Sequence, residues 1–370
     1  MIKGVLRQTL ILVMAAVMVF CGTAEGFGAD GSSSGKDEIT ITLTGDLMCD
    51  TKFQRFLYDE EAKTFEFDPT FKYVKKIFND SDFTVGNLET CVSSSHKISR
   101  DLHFKNNEPY MNAPKKFLRA LKRAGYDGLI LANNHTLDTG LSGLRNTIDA
   151  IDELGLKHTG LYKSSGNKHY FTFKKNGIKV AFLAYATYYN YYDYTLTYAQ
   201  RQVYLSQFSE AKVKADVKAA KDAGADYIIA YMHAGDENTY KISQQQKTIC
   251  NALTKYGVDY IVGSHPHYLQ RKGAYYKGSK KVPVIYSLGN FTGKLRRKKT
   301  RETAILKITL KKDDKGKVSL KKKEFIPVFM VTKWAGKKMV LLPEGTKAGK
   351  KSREMLEKHF KHIRKIINNQ

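Results

Sequence analysis

Short apolar runs separated by longer amphipathic stretches organise most of this chain. Ile39-Thr40-Ile41-Thr42-Leu43 alternates in the manner of a half-buried strand. Compact apolar runs recur at Phe83 to Val85, Leu129 to Leu131, Val180 to Ala184, Tyr227 to Met232, Tyr260 to Val262 and Val284 to Leu288. Helical spacing fills several intervals, at Pro114 to Ala124, Ser142 to Leu154 and Ser206 to Ala223. Buried strands alternating with helices predict an α/β domain. After about Arg301 the pattern changes to Lys-rich strands at Ala304 to Leu310 and Val318 to Val328. A closing helix is then predicted from Ser352 to Ile367, with Leu356, Phe360, Ile363 and Ile367 on one face. A helix docked by that face satisfies this pattern, and so does a basic helix lying on a membrane surface.

The N-terminus is of another kind. Lys3 and Arg7 precede an apolar run from Leu10 to Phe20 that ends in the small residues Gly22-Thr23-Ala24, the layout of an export signal cleaved near Ala24. An uncleaved anchor is the other reading, whereas the bulky Phe20 before Cys21 argues against a lipoprotein site. The predicted organisation is a signal over 1–24, a Gly- and Ser-rich linker over 25–37, an α/β domain over 38–300 and basic strands and a helix over 301–370.

Charge changes this picture by its placement. The formal net charge is +26, and residues 271–370 carry 30 Lys and Arg against 7 Asp and Glu. An exported protein with such a region is expected to attract an anionic polymer such as polyglutamate or teichoic acid, or anionic lipid headgroups, while nucleic acid is not expected behind an export signal. A solvated lysine-rich surface is the plainer account. Loss of the signal leaves Cys49, Cys91 and Cys250. The first two stand beside chemistry-bearing motifs, and both a disulfide between them and two free thiols are open.

Five predicted strands run directly into short polar motifs. These are Gly45-Asp46-Leu47-Met48, Gly86-Asn87-Leu88-Glu89-Thr90, Ala132-Asn133-Asn134-His135, Met232-His233-Ala234-Gly235 and Gly263-Ser264-His265-Pro266-His267. Ligands of α/β sheets bind where loops from several strand ends meet, so the motifs point to one site. Carboxylates, an amide oxygen and imidazoles together suit borderline divalent ions, Mn, Zn or Fe, better than Mg or Ca. Between Tyr185 and Tyr204 stand eight tyrosines, able either to wall a binding site or to pack a loop onto its own domain.

Taken in order, GDLM, GNLET, LANNHTLDTG, MHAGDE, GSHPHYLQ and YSLGNF resemble the motif series of the poly-gamma-glutamate capsule biosynthesis protein CapA family, a branch of the calcineurin-like metallophosphoesterases. The series spans Gly45 to Phe291. The resemblance implies a sandwich of two mixed sheets flanked by helices, with a basic C-terminal extension. It implies metal ligands at Asp46, Glu89, Asn134, His233, His265 and His267, and a proton donor at His135. Asp138 either orients His135 or starts a helix. One departure matters: Met48 stands where ordinary metallophosphoesterases carry a ligating His. The expectation is therefore one firm metal, on Glu89, Asn134, His233 and His265, and a second weak one on Asp46, Glu89 and His267. Two functions follow from the resemblance. One is metal-dependent hydrolysis or transfer on an anionic envelope or capsule polymer, phosphoesters included. The other is a non-catalytic polymer-binding or export factor with a structural metal.

Overall fold

The structure, a computed structural model, describes residues 37–101, 110–295 and 297–369; the expected signal and nearly all of the expected linker lie outside the described residues. Strands β1 (Glu38–Leu47), β2 (Phe83–Asn87), β3 (Gly128–Ile130) and β4 (Lys157–Thr159) pair in parallel. The chain then builds a second sheet from β5 (Phe171–Lys175), β6 (Ile178–Ala186), β7 (Tyr227–His233), β8 (Tyr260–Ser264), β9 (Lys272–Lys277) and β10 (Lys280–Ile285). Its order is β9-β10-β8-β7-β6-β5, parallel in the middle and antiparallel at both edges.

It finally returns to the first sheet. There β11 (Asn290–Thr292) lies parallel to the end of β1, and β12 (Glu302–Lys312), β13 (Val318–Trp334) and β14 (Lys337–Pro343) add antiparallel strands on the side of β1 away from β2. The basic C-terminal extension is thus an extension of the first sheet, hydrogen-bonded through β12 to β1. Two mixed sheets flanked by helices are the architecture expected above.

The period-two alternation of the second sheet explains the layering. Val180, Phe182, Ala184, Ile229 and Tyr231 face the first sheet in one core, while Ala181, Leu183, Tyr185, Ile228, Ala230 and Met232 turn the other way. The second set packs with residues of α3 (Glu210–Asp222) and α4 (Gln244–Tyr256), which follow α1 (Lys115–Ala124) and α2 (Gly140–Asp152) in the chain. Helix α3 begins later than its apolar spacing predicts. Ser209 caps it by accepting from the Lys212 amide, and the preceding Ser206 to Phe208 backbone is drawn into pairing with Ala186. Helix α4 escaped the periodicity argument because it opens on Gln244-Gln245-Gln246-Lys247. Its reciprocal cap between Ser243 and Gln246 was the available signal.

The closing helix, α5 (Lys350–Asn368), buries Leu356, Phe360, Ile363 and Ile367 against the core. Its apolar face is therefore docked, leaving only the basic outer side for any membrane contact. No helix among the described residues is long and apolar enough to cross a membrane. The polar anchor of α5 is Glu302 at the start of β12, which accepts from His359 Nδ1 and His362 Nδ1 at 2.7 Å each, with His359 stacked on Phe329. Burial works to raise the Glu302 carboxyl, but the two imidazole hydrogen bonds prevail and hold it below its ordinary 4.5. A carboxylate depressed on folding stabilises above its unfolded pKa, and that contribution is lost as pH falls through the folded value. Glu302→Gln is expected to cost about 1–2 kcal/mol at neutral pH and to flatten the fall of stability below pH 4.5, read by thermal melts across the acid range.

Candidate metal centre

Parallel strands carry all their C-terminal ends to the same edge, and here both sheets deliver theirs to one place. Asp46 and Asn87 close β1 and β2, and they are register partners. His233 closes β7 between Ala186 of β6 and Ser264 of β8. The sheets are tied just beneath by the Tyr231 hydroxyl, which reaches the Thr44 and Val85 carbonyls at 3.4 Å each. Two glycines permit the close approach. A Cβ on Gly45 would lie 1.9 Å from the Gly289 carbonyl oxygen, and one on Gly263 would lie 1.8 Å from that of Tyr286.

All eight residues singled out from the sequence are buried in this region. The donor atoms of Glu89, His233 and His265 lie within 4.8 Å of one another, as do those of Asp46, Glu89 and His267, so Glu89 is common to both groups. Asn134 joins the first group, its Oδ1 standing 2.8 Å from His233 Nε2. That nitrogen is presented because the ring's other side, Nδ1, bonds the Ser264 hydroxyl at 2.9 Å. His267 is held likewise, with Nδ1 donating to Asn290 Oδ1 at 2.9 Å. His265 and His267 adopt left-handed backbone conformations, φ +95 and +57, which non-glycine residues hold only when the surroundings impose it. Met48 is buried too, and its carbonyl accepts from the Thr292 hydroxyl. Its thioether adds no ligand suited to a hard or borderline ion.

The electrostatics fit a cation. Both Glu89 oxygens and His265 Nδ1 are buried without a hydrogen-bond partner, an arrangement that is costly unless something else satisfies them. Burial and the neighbouring Asp46 charge push the Glu89 carboxyl well above the carboxylate range, and burial raises Asp46 itself. Burial also keeps His233 far below the usual imidazole value and brings His265 down to about 3, so both are neutral ligand bases at neutral pH. A divalent ion would supply the positive charge that two buried carboxylates lack.

His135 stands apart from the two donor groups. Its Nδ1 bonds Asp138 Oδ2 at 2.7 Å, and the same oxygen accepts from the Met111 amide at 2.6 Å. Asp138 does not cap α2, whose N-cap is Thr139, so of its two expected roles the structure shows contact with the imidazole. Cys49 and Cys91 are buried free thiols with no disulfide between them. Burial pushes Cys91 up to about 12, and it donates instead to the His135 carbonyl at 3.2 Å.

Several neighbours went unassigned in the sequence although they stand inside motifs already quoted. Asn133 donates to the Asn87 side chain, and Asn87 donates to Asp46 Oδ1 at 2.8 Å. Ser264 and Asn290 orient imidazoles as described. Asn190 had no motif signal, since it lies in the tyrosine segment. Its Oδ1 accepts from Asn134 Nδ2 at 3.1 Å, and that bond selects the amide orientation that turns the Asn134 oxygen to the donor group. The tyrosine segment serves both readings: Tyr188 meets the His265 ring edge-on and Tyr189 is buried, while Tyr191 and Tyr194 stack on each other and are exposed. Asn190 has φ +50, so Asn190→Gly removes the amide without backbone strain. We expect that variant to bind divalent metal about tenfold more weakly by titration calorimetry, and Asn190→Asp, which keeps the acceptor, to recover most of the loss.

Fold and site together define a class, a two-sheet α/β sandwich with a buried carboxylate, amide and imidazole cluster where the strand ends of both sheets meet. Residues 40–294 match the family described as bacterial capsule synthesis protein PGA_cap, and the chain belongs to that family. It is 28% identical over 278 residues to the capsule biosynthesis protein CapA of Bacillus anthracis, covering 74% of this chain and 64% of that protein. To the PGA biosynthesis protein CapA of Bacillus subtilis it is 26% identical over 325 residues, covering 83% and 77%. Among solved structures, the calcineurin-like phosphoesterase YfkN of Bacillus subtilis superposes with a TM-score of 0.45 at 14% identity, over 89% of this chain and 99% of that one.

Proposed function

We propose that this protein is an exported, metal-dependent hydrolase or transferase acting on an anionic envelope or capsule polymer, polyglutamate-like in its charge. The observation that carries the reading is the His135–Asp138 pair beside the two donor groups. A metal with a purely structural task has no use for an imidazole held by a buried carboxylate outside its ligand set. Glu89, Asn134, His233 and His265 would hold the firmer ion, and Asp46, Glu89 and His267 the weaker. Such an ion supplies Lewis-acid polarisation and lowers the pKa of water.

The chain's own groups do the rest. Asp138 fixes the ring plane of His135 through Nδ1, so that the imidazole delivers a proton to the departing oxygen or nitrogen through Nε2. The Tyr188 ring, edge-on to His265, limits solvent around it. Export is supported by Lys3, Arg7 and the apolar run from Leu10 to Phe20, and polymer attraction by the excess of lysine after residue 270.

The test is a hydrolysis and transfer screen of the chain beginning near Glu25, with added Mn, on polyglutamate and on phosphodiesters, against a His135→Ala blank. The second reading, a non-catalytic polymer-binding factor, draws on Met48 in place of a ligand. It predicts salt-sensitive polymer binding that survives both chelation and His135→Ala, with no turnover in the screen.

A further inference from the structure

Some cations of this surface sit against acids, as Arg123 does with Asp68, Lys163 with Asp149 and Asp152, and Lys255 with Glu210. Where the end of α5 meets the β9 edge of the second sheet, they do not. Arg271 lies over the Tyr286 ring at 5.6 Å, Lys299 over the Tyr240 ring at 5.1 Å, and Lys272 donates to the Asn368 amide oxygen at 2.6 Å. Among the described residues none of these three forms an ion pair, nor does Lys281, Lys323 or Lys365. Lys323 of the first sheet is close enough to Lys281 and Lys272 of the second that, after burial, their like charges depress it further.

Two of these side chains, Arg271 and Lys365, line a concavity. A cavity of about 210 Å³ is lined by Tyr240, Arg271, His362, Lys365, Ile366 and Asn369. The Tyr240 hydroxyl oxygen is buried and has no hydrogen-bond partner, and burial, with the Glu302 charge after it, raises its pKa so that it stays a donor. The acid nearest to His362, Glu302, is already engaged by two imidazoles. Glu237, from the loop that precedes Tyr240, bears instead on Glu89 and Tyr188 at the metal centre. A lysine-rich surface kept only for solubility needs neither a cavity nor an orphaned hydroxyl beside it.

The cavity is joined to the metal centre through the chain. Tyr240 packs on Tyr268, the residue after His267, at 5.1 Å. The Gln270 side chain donates to the Thr239 and Lys241 carbonyls at 3.1 and 3.0 Å, and Arg271 follows it. Arg271 is four positions after His267, so their Cα atoms are at most about 14 Å apart.

We propose that this cavity is an anion subsite, in which Arg271, Lys365 and the Tyr240 hydroxyl seat one carboxylate of a polycarboxylate chain whose neighbouring repeats extend toward the metal centre. It rests on the polymer reading above. A carboxylate is favoured because the planar Arg271 fork matches it, and because Lys272, Lys281 and Lys323 continue from the cavity as single cations, suiting a chain with one charge per repeat.

The experiment measures binding of labelled poly-γ-glutamate by anisotropy, on the whole chain in chelator, so that metal and turnover play no part. Arg271→Gln with Lys365→Gln is expected to weaken binding at least about tenfold. Lys315→Gln with Lys317→Gln, which removes the same charge at the exposed turn between β12 and β13, is expected to weaken it less than about twofold. Tyr240→Phe, lacking only the hydroxyl, is expected to lose about threefold. Equal losses for the two double variants would reduce the site to bulk charge and overturn the proposal. Loss confined to a glycerol-phosphate polymer, with poly-γ-glutamate binding unchanged, would overturn the carboxylate assignment. Because catalysis is not read, a failed substrate screen and a failed subsite give different results.

Discussion

Glu89→Gln is expected to weaken divalent metal binding at least about a hundredfold while raising the melting temperature of the metal-free protein. Glu89 belongs to both donor groups, so its loss removes a charge from each. In the metal-free state the same charge is a liability, because the carboxyl is fully buried beside Asp46 and has no hydrogen-bond partner. The sign follows from linkage. A carboxyl raised on folding binds its proton more tightly in the native state, so the metal-free protein loses stability as pH rises from the ordinary 4.5 toward the folded value. The amide has no such loss, and a gain of about 1–4 kcal/mol at neutral pH is the scale for relieving an uncompensated buried charge. Calorimetric melts with and without Mn read both effects, one in each direction. The same titration on the unaltered protein should show one tight ion and one weak one. Two equally tight ions would contradict the weakness assigned to the position with Met48.

His135→Ala should abolish turnover, by about 10²–10⁴-fold, with metal affinity changed little. The imidazole nitrogen Nδ1 is taken up by Asp138 at 2.7 Å, and His135 belongs to neither group of converging donor atoms. On the proposed mechanism its contribution is a proton to the leaving group, so the deficit should shrink on substrates whose leaving group needs no proton, such as nitrophenyl esters. A loss of metal in this variant would make His135 a ligand instead. An equal deficit on activated and unactivated substrates would remove its role as an acid.

The motifs were legible because metal ligands are few in kind and were written immediately after apolar strand runs. The grouping of those ligands was not. Nothing in the order of Asp46, Glu89 and His267 along the chain shows that their donor atoms form one group while Glu89 forms another with His233 and His265. Asn190 was invisible for a related reason: it lies in a loop between Tyr189 and Tyr191 with no periodic pattern, and its value comes from side chains distant in sequence, the Asn134 amide and the His135 ring, that it touches. The disulfide alternative failed because adjacency of strands does not bring side chains face to face, and Cys91 found a carbonyl instead.

Local pattern determined that this chain forms buried parallel strands with polar, metal-competent ends, because apolar periodicity and strand-end chemistry are properties of a few consecutive residues. Only the tertiary structure decided that the Lys-rich final strands complete the first sheet through β1, that the closing helix spends its apolar face on Glu302's side of the core, and that unpaired cations from both sheets gather beside the metal loop. Those outcomes depend on register and on contacts between residues hundreds of positions apart, where the free energy of burial and charge is set by partners that no local window contains.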